Sequence, residues 1–481
     1  MIFFQLIKIL KIRIVIYLLI LILSLYLYTY KPNKVYEKYE RNFKGNSTCD
    51  LLDSINIFNL RIKNGPIEIC NDNYTNHICY INHEGYYNNI FRSKNGVLCT
   101  FENIILDPSK FIKSNFIYKG PVDKKNKGFP NLTKGFFNTK CNNHKINFNF
   151  SKIYNNYFNA WNYDSNENNE KEEPEELAPG KIILLISRNE DSPNLFHGNS
   201  EIINIISTLY LFNLTPEQIQ IVLIEGIDIP EDPFYNIYKY LFAGGKDPIN
   251  VKNLTKKYRI SKGINIPLNW DSPVFLTINY PKCDSITKTY QLYNDFIDKY
   301  MNLTTFKDYF ISDNITYYYP IKTIKNYHKG IKFKKMVTIQ WRKVWPKGRK
   351  GQSRILANAT KLADKLAEVL PDHILIRLID TATLSYKDQI SVIRETNYLI
   401  GIHGAGLSLS IFLPKNAILH EICRVKYNNL LTTMSALSGH VTYSDVLKSE
   451  NYIENGNEYI NFDIESFVNS VLTHMKENNF F

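Results

Sequence analysis

Short apolar runs alternate with helical stretches from about residue 181 onward. A first block contains three such runs: KIILLIS (181–187), IQIVLIEG (219–226) and PVFLTIN (273–279). A second block contains four: KMVTIQW (335–341), HILIRLI (373–379), NYLIGI (397–402) and AILHEI (417–422). Buried strands that alternate with helices are typical of parallel sheets covered by helices on both faces. We therefore predict an α/β fold with two Rossmann-like domains, at residues 181–325 and 326–475.

The N-terminus has a different pattern. Residues 14–30 are 17 consecutive uncharged residues that follow a basic segment, residues 1–13. This is the lower end of the length of a membrane-spanning helix. A cleaved signal peptide is the alternative, but no small-x-small cleavage site follows. We predict a cytoplasmic tail (1–13), a transmembrane signal anchor (14–30) and a polar stem (31–48).

A cysteine- and aromatic-rich region, residues 49–161, follows the stem, and an acidic linker, residues 162–180, precedes the first block. Five of the seven cysteines lie before residue 142, at spacings that match no zinc signature. In an oxidising lumen they suggest one or two disulfides in a separate N-terminal, cysteine-bearing subdomain, and Cys79–Cys99 is the preferred pair. The alternative is that several are small buried hydrophobic residues.

Asparagine sequons favour a lumenal body. Nine Asn-x-Ser/Thr sites occur, only slightly more than chance would give in so asparagine-rich a chain: Asn46, Asn73, Asn131, Asn149, Asn213, Asn253, Asn302, Asn314 and Asn358. The chain also carries 58 Lys and Arg against 46 Asp and Glu, a net charge of +12. This balance is compatible with a polyanionic partner, but no nucleic-acid-binding signature accompanies it, and we expect no nucleic acid partner.

Polar residues follow the strands of the second block, where ligands bind in open parallel sheets. Arg342 follows the first strand, Asp380 the second, His403 the third, and Glu421 lies near the end of the fourth. A cation, two acids and a histidine are therefore expected on one sheet edge.

The segment His403-Gly404-Ala405-Gly406 leads from the third strand into a predicted helix start. Backbone N–H groups and the helix dipole there suit an anion, and glycine allows a phosphate to approach closely. Arg342 and Arg354 could neutralise a diphosphate, and Glu421 could accept hydrogen bonds from ribose hydroxyls. The alternatives are a tight strand–helix turn for the glycines and a hydrogen-bonded core residue for His403.

Four segments of the chain resemble glycosyltransferase family 61. The most specific is IGIHGAGLSLSIFLPKNAILHEI (400–422). The others are VTIQWRK with SRILAN, the segment SPNLFHGNSE (192–201), and the cysteine-bounded stretch CYINHEGYYNNIFRSKNGVLC (79–99). Members include β-1,2-xylosyltransferases of N-glycans and the EGF-domain O-linked N-acetylglucosamine transferase.

The resemblance implies a GT-B-like pair of Rossmann-like domains facing a cleft, with a UDP-sugar held by the second domain. It implies an inverting transfer of xylose or N-acetylglucosamine to a glycoprotein glycan or protein acceptor. His197 and Glu201 would supply the catalytic base, and Glu201 stands where the family pattern has Asp. No Asp-x-Asp occurs in the chain, so we expect no cofactor and no metal requirement.

Two further functional hypotheses remain open. One is an EGF-domain-type protein O-linked N-acetylglucosamine transferase, and the other is a non-catalytic sugar-binding relative of the same fold. The anchor and the cysteine-bounded stretch resemble those of Golgi xylosyltransferases. We therefore expect a single-pass type II protein of the Golgi membrane, with the endoplasmic reticulum membrane as the alternative.

Overall fold

The structure is a computed structural model. It describes residues 62, 66–72, 75–81, 97–112, 131–142, 144, 157–164, 174–188, 192, 194–225, 232–242, 246–266, 286–301, 303, 315–318, 334–341, 354–423, 430–446, 449–454 and 457–481. The chain divides into two compact units, Met1–Ser47 and Thr48–Phe481, and every described residue lies in the second. The predicted tail, anchor and stem lie outside the described residues. Within these ranges, no helix is both long enough and apolar enough to cross a membrane.

The described strands, in chain order, are β1 (Ile67–Asn71), β2 (Asn76–Ile81), β3 (Val97–Leu106), β4 (Phe111–Ile112), β5 (Asn131–Leu132), β6 (Phe137–Asn138), β7 (Trp161–Asn162), β8 (Ile182–Arg188), β9 (Ile219–Glu225), β10 (Ile249–Asn250), β11 (Tyr258–Asn265), β12 (Ile315–Tyr318), β13 (Lys335–Trp341), β14 (Ile355–Leu356), β15 (Ile374–Asp380), β16 (Tyr398–Ile402), β17 (Ile418–Cys423), β18 (Val441–Val446), β19 (Ser449–Glu454) and β20 (Asn457–Phe462). The described α-helices are α1 (Leu195–Leu211), α2 (Tyr235–Phe242), α3 (Lys288–Tyr300), α4 (Ala359–Val369), α5 (Tyr386–Arg394), α6 (Leu430–Leu437) and α7 (Ile464–Glu477). A 3-10 helix, Ala405–Phe412, begins at the glycine segment and is called the glycine-turn helix below.

The first sheet is mixed, with the order β1-β2-β3-β11-β8-β9-β10. Strands β8, β9, β10 and the end of β11 are parallel, whereas β1, β2, β3 and β11 pair antiparallel. The predicted strands at 181–187 and 219–226 are confirmed as β8 and β9. Strand β11 was not predicted, because Lys262 and Gly263 interrupt its apolar pattern. The predicted strand at 273–279 lies outside the described residues.

The described part of the cysteine-rich region is continuous with this sheet, which differs from the expected separate subdomain. Strand β3 pairs along almost the whole length of β11, so the N-terminal strands share a core with β8 and β9. Two disulfides lie in this region, Cys70–Cys141 and Cys79–Cys99. The second joins directly paired residues of β2 and β3, and it is the pair preferred from the sequence.

The end of the expected acidic linker, residues 174–180, is also part of the fold. The Arg259 N–H donates to the Glu175 carbonyl, and the Leu177 N–H donates to the Arg259 carbonyl at 2.8 Å. Ser261 donates to Glu176, and Leu177 is 5% exposed. The acidic composition suggested a solvated loop. Instead, hydrogen bonds with β11 pair backbone groups of this segment, which continues directly into β8.

The second sheet has the order β12-β15-β13-β16-β17-β18 and is parallel except for β12. All four strands predicted for the second block are confirmed, as β13, β15, β16 and β17. Their β-branched and leucine side chains form one core with the apolar faces of α4 and α7. A small sheet, β14-β20-β19, borders this core.

The two sheet-bearing halves are in contact through helices. Helix α1, which follows β8, packs against the glycine-turn helix, which follows β16, and α1 also packs against α3. The glycine-turn helix in turn packs against α5 and α6. The first turn of α1 is therefore held beside the segment that the sequence singled out as an anion site.

Candidate functional site

A pocket of about 140 Å³ lies at the carboxyl edge of the second sheet. Strands β13 and β15 end together, because Trp341 pairs with Asp380, and β16 continues into the glycine turn beside them. Residues from these strand ends line the pocket: Gln340, Trp341, Asp380, Thr381, Ile402 and residues 404–407. Leu195, at the start of α1, also lines it. The pocket therefore lies where the sequence placed the candidate ligand.

Gly406 allows the glycine-turn helix to lie close to β13. A Cβ at this position would lie 2.3 Å from Nε2 of Gln340, which is too close for a side chain. That same amide nitrogen donates a hydrogen bond to Thr381 at 2.8 Å, which fixes Gln340 against the end of β15. The first backbone N–H groups of a helix have no partner within the helix, so this close approach brings such donors to the pocket.

His403 and Glu421 are brought together just before the turn. The carboxylate Oε1 of Glu421 lies 2.6 Å from Nδ1 of His403, and Glu421 is 1% exposed. A carboxylate only accepts hydrogen bonds, so Nδ1 must donate the proton. Any contact of the ring with a donor substrate would then use Nε2. The expected ribose contact of Glu421 remains a prediction, because the structure shows this carboxylate orienting the imidazole.

Arg354 reaches the same turn from a distant part of the sequence. Its Nη1 donates to the His403 carbonyl at 3.0 Å, and the residue is half-buried. Its φ of 66° is uncommon for a residue with a long side chain and costs conformational energy. The contact places a guanidinium beside the glycine segment, as expected. Arg342 lies outside the described residues, immediately after β13.

A second cluster of charged groups lies at the carboxyl edge of the first sheet. Arg188 ends β8, and Glu225 ends β9 directly beside it. The guanidinium Nη1 of Arg188 donates to Glu225 at 2.9 Å and to Asp232 at 2.6 Å. Its Nε lies 3.5 Å from Oε1 of Glu201, which is an ion-pair distance. One buried cation is therefore shared by three carboxylates.

Glu201 is 1% exposed and has contacts on both carboxylate oxygens. The Tyr238 hydroxyl donates to Oε1, and the Ser192 hydroxyl lies 3.4 Å from Oε2. Burial raises the pKa of Glu201 to about 7, although Arg188 and the Tyr238 hydroxyl act in the opposite direction. This carboxyl therefore changes its protonation state near neutral pH, as a general base requires.

His197 lies one helical turn before Glu201, with its ring at the edge of Phe196. Burial lowers the pKa of His197 to about 4, so the imidazole is neutral at pH 7. The half-buried side chain is more accessible than the carboxylate of Glu201. Accessibility therefore favours His197 as the base, whereas the pKa favours Glu201.

Helix α1 presents its two faces to different partners. With about 3.6 residues per turn, Leu195 and Asn199 share one face, and His197 and Glu201 lie on the opposite face. Leu195 lines the pocket of the second sheet, whereas Glu201 contacts the Arg188 cluster of the first. The structure therefore does not place Glu201 inside the described pocket wall, and α1 lies between the carboxyl edges of both sheets.

The sequence did not single out Arg188, Glu225, Asp232 or Tyr238. The signal for the first two was available, because Arg188 directly follows KIILLIS and Glu225 ends the run IQIVLIE. Inspecting strand ends in the first block, as in the second, would have found both. Asp232 and Tyr238 follow β9 at distances that no strand pattern indicates.

Part of the chain matches a known protein family. A family model described as Glycosyltransferase 61 matches residues 264–419, which include β13, β15, β16, the glycine-turn helix and the start of β17. No curated protein matches the chain significantly.

The raised pKa of Glu201 predicts how stability depends on pH. A carboxyl whose folded pKa exceeds its unfolded value binds its proton more tightly in the folded protein, so it adds stability as the pH falls from about 7 to about 4.5. Relative to Glu201→Gln, the free energy of unfolding of the wild type should rise through this window, by on the order of 3 kcal/mol. Chemical denaturation at several pH values measures this difference.

His197→Gln is a control of opposite sign. The folded pKa of His197 lies below the ordinary 6.5, so the wild type should lose stability relative to this variant as the pH falls from 6.5 to about 4. If wild type and Glu201→Gln have the same pH dependence, Glu201 does not have a raised pKa.

Proposed function

We propose that this chain, which a model of glycosyltransferase family 61 matches over residues 264–419, transfers xylose or N-acetylglucosamine from a UDP-sugar to a glycoprotein glycan or a protein acceptor. The protein is a glycosyltransferase, and the site supports a UDP-sugar as its donor. The observation that carries the proposal is the pocket between the strand ends and the glycine-turn helix, with Arg354 and the His403–Glu421 pair beside it.

The pocket suits the diphosphate of the donor rather than the whole nucleotide-sugar. Its volume of about 140 Å³ is below the ~300–1,000 Å³ usual for a whole drug-sized ligand. A diphosphate would accept hydrogen bonds from the first N–H groups of the glycine-turn helix, and the helix dipole favours its charge. Arg354, Arg342 and Nε2 of His403 would add cationic or polar contacts, and Asp380 would lie at the pocket wall.

The proposed reaction is a single displacement with inversion. An acceptor hydroxyl attacks the anomeric carbon, the bond to the β-phosphate oxygen breaks, and the hydroxyl proton passes to a base on α1. Negative charge then develops on the departing UDP, where preorganised N–H donors and arginines stabilise it most. The base is His197 or Glu201, the two side chains on the face of α1 next to the first sheet.

We propose that this stabilisation does not require a metal. Among the described residues, three side-chain groups have an arrangement that could hold an ion. Two of them contain the disulfide cysteines, and the third is His403, Glu421 and Cys423. In that third group, the histidine and the carboxylate already bond to each other, which supports a role in orienting the ring.

A GT-B-like arrangement is part of the proposal. Two α/β sheets in one compact unit, with their carboxyl edges on opposite faces of α1, support it. We also propose a lumenal body anchored by residues 14–30 in the Golgi membrane. Two disulfides support an oxidising compartment, and Asn131, Asn213 and Asn253 are exposed.

Asn358 differs from those three sequons. It is half-buried, and Nδ2, the atom that would carry a glycan, donates to Asn461. The sequons at Asn46, Asn73, Asn149, Asn302 and Asn314 lie outside the described residues. Among the four sequons that the structure describes, three are exposed and the fourth is already engaged in a hydrogen bond.

Arg354→Ala should weaken UDP binding about 10- to 100-fold, because a hydrogen bond to a charged group contributes roughly 1.5–3 kcal/mol. Arg342→Ala should have a similar effect. Turnover should fall further, since these contacts strengthen as the leaving group gains charge. Calorimetric titration with UDP measures the affinities.

Lys365→Ala is the control, because Lys365 pairs with Glu368 and Glu465 on the surface of the same half. Unchanged affinity in both arginine variants would remove them from the site.

Substitutions on α1 should separate binding from chemistry. Glu201→Gln should bind UDP normally, because the pocket lies on the second sheet, and should lose about 100-fold in transfer rate if Glu201 is the base. His197→Gln should show that loss instead if His197 is the base. Steady-state transfer assays with UDP-xylose and UDP-N-acetylglucosamine distinguish the two. Full activity in both variants would mean that the catalytic base is not on this face of α1.

When the protein is expressed in cells that pass it through the secretory pathway, a glycosidase that removes N-linked glycans should increase its electrophoretic mobility. Replacing Asn131, Asn213 and Asn253 by Gln should remove part of this shift, because their side chains are exposed. Asn358→Gln is the matched control and should leave the shift unchanged. No mobility change in the wild type would count against a lumenal body.

A further inference from the structure

A buried hydrogen-bonded bridge joins α1 to the glycine-turn helix. Its centre is Asn199, which lies between His197 and Glu201 in the sequence and on the opposite face of α1. The Asn199 Nδ2 donates to the Ser408 hydroxyl at 3.0 Å, and Ser408 lies two residues after Gly406. Both residues are 0% exposed. The bridge therefore connects the helix that carries the candidate bases to the helix that begins at the candidate diphosphate site.

Two tyrosines complete the bridge from other elements. Tyr293 of α3 donates to Oδ1 of Asn199 at 2.9 Å, and Tyr386 of α5 donates to the same oxygen at 2.5 Å. Their hydroxyls are also within 3.3 Å of each other. One amide thus receives hydrogen bonds from both halves of the protein, since α3 belongs to the first half and α5 to the second.

Phe234 restricts the movement of α1 relative to the glycine-turn helix. Gly198 lies against the ring of Phe234, and a Cβ there would lie 2.0 Å from the ring. The Phe234 ring in turn packs on Tyr386. A shift of α1 would break hydrogen bonds that are buried away from water, and leaving buried donors and acceptors unpaired is costly.

The bridge is also close to the groups whose spacing matters. Two residues along α1 correspond to about 3 Å of rise, and two residues along a 3-10 helix correspond to about 4 Å. A displacement at Asn199 would therefore change the distance between the base and the donor by nearly the same amount. Positioning errors of about 1 Å can cost about 100-fold in rate.

We propose that Asn199 is a positioning residue, which fixes the helix carrying His197 and Glu201 against the diphosphate-binding turn through Ser408. The inference rests on the proposed glycosyl transfer from a UDP-sugar. Asn199 does not contact the reacting atoms in this account. It sets the distance between the two halves of the site, so its loss should affect turnover more than nucleotide binding.

The test compares Asn199→Leu, an apolar residue of similar size, with Ser408→Ala, which removes the other end of the bridge and perturbs the fold less. Both variants should lower kcat for UDP-xylose or UDP-N-acetylglucosamine transfer about 10- to 100-fold. The KM for the donor and the Kd for UDP should stay within about threefold of wild type, because the second-sheet pocket is intact. The double variant should be no slower than Asn199→Leu alone, since both changes break one bridge.

Asn294→Leu is the matched control. The Asn294 Nδ2 also donates across the two halves, from α3 to the Ile411 carbonyl at 3.1 Å, but among the described residues it has no hydrogen bond to α1. This variant should lower the Tm and leave kcat within about threefold of wild type. Equal kcat losses in the Asn294 and Asn199 variants would mean that general interface stability is the cause, and would overturn the inference.

The outcomes also separate the inference from the proposed function. A wild-type protein that binds no UDP and turns over neither donor contradicts the proposed function and the inference together. A wild-type protein that transfers sugar, with Asn199→Leu and Ser408→Ala equally fast, contradicts the inference alone. Additive losses in the double variant would likewise show that the two residues do not act through one bridge.

Discussion

Helix α1 is buried on nearly every side, and the remainder of the site depends on this burial. Its residues from Phe196 to Leu209 are almost all inaccessible, including the polar ones. The carboxyl edge of the first sheet covers one face with the Arg188 cluster, and the glycine-turn helix covers the other through Asn199 and Ser408. Because one helix contacts both edges, the distance between the two halves of the site is fixed by packing.

The charged groups that Glu201 of α1 contacts are costly to bury, which supports a functional role for the cluster. Taking Arg188, Glu225, Asp232 and Glu201 out of water carries a desolvation penalty that their attraction does not reliably exceed. Apolar residues of similar volume would often be at least as stable. Burial within this cluster raises the pKa of Glu201 to about 7, the range in which a general base works at neutral pH.

The second half was more predictable from the sequence than the first. Its parallel strands are continuous apolar runs, so the pattern of apolar residues was enough to predict where the strands lie and which residues end them. The first half mixes parallel and antiparallel pairing, and β11 carries charged and glycine residues that hide its strand pattern. The bridge at Asn199 and the contact of Arg354 with His403 join residues far apart in the chain, and they depend on side-chain packing that a single sequence does not encode locally.

The central claim is that the turn from His403 to Gly406 holds the diphosphate of a nucleotide-sugar. Calorimetric titration of the wild-type protein with UDP, UMP and uridine tests it most directly. If the phosphates carry the binding, affinity should fall by about tenfold or more from UDP to UMP and again to uridine, because each step removes charged hydrogen-bond acceptors from the turn and from Arg354. Equal affinity for uridine and UDP would show that the phosphates are not bound there, and would contradict the account.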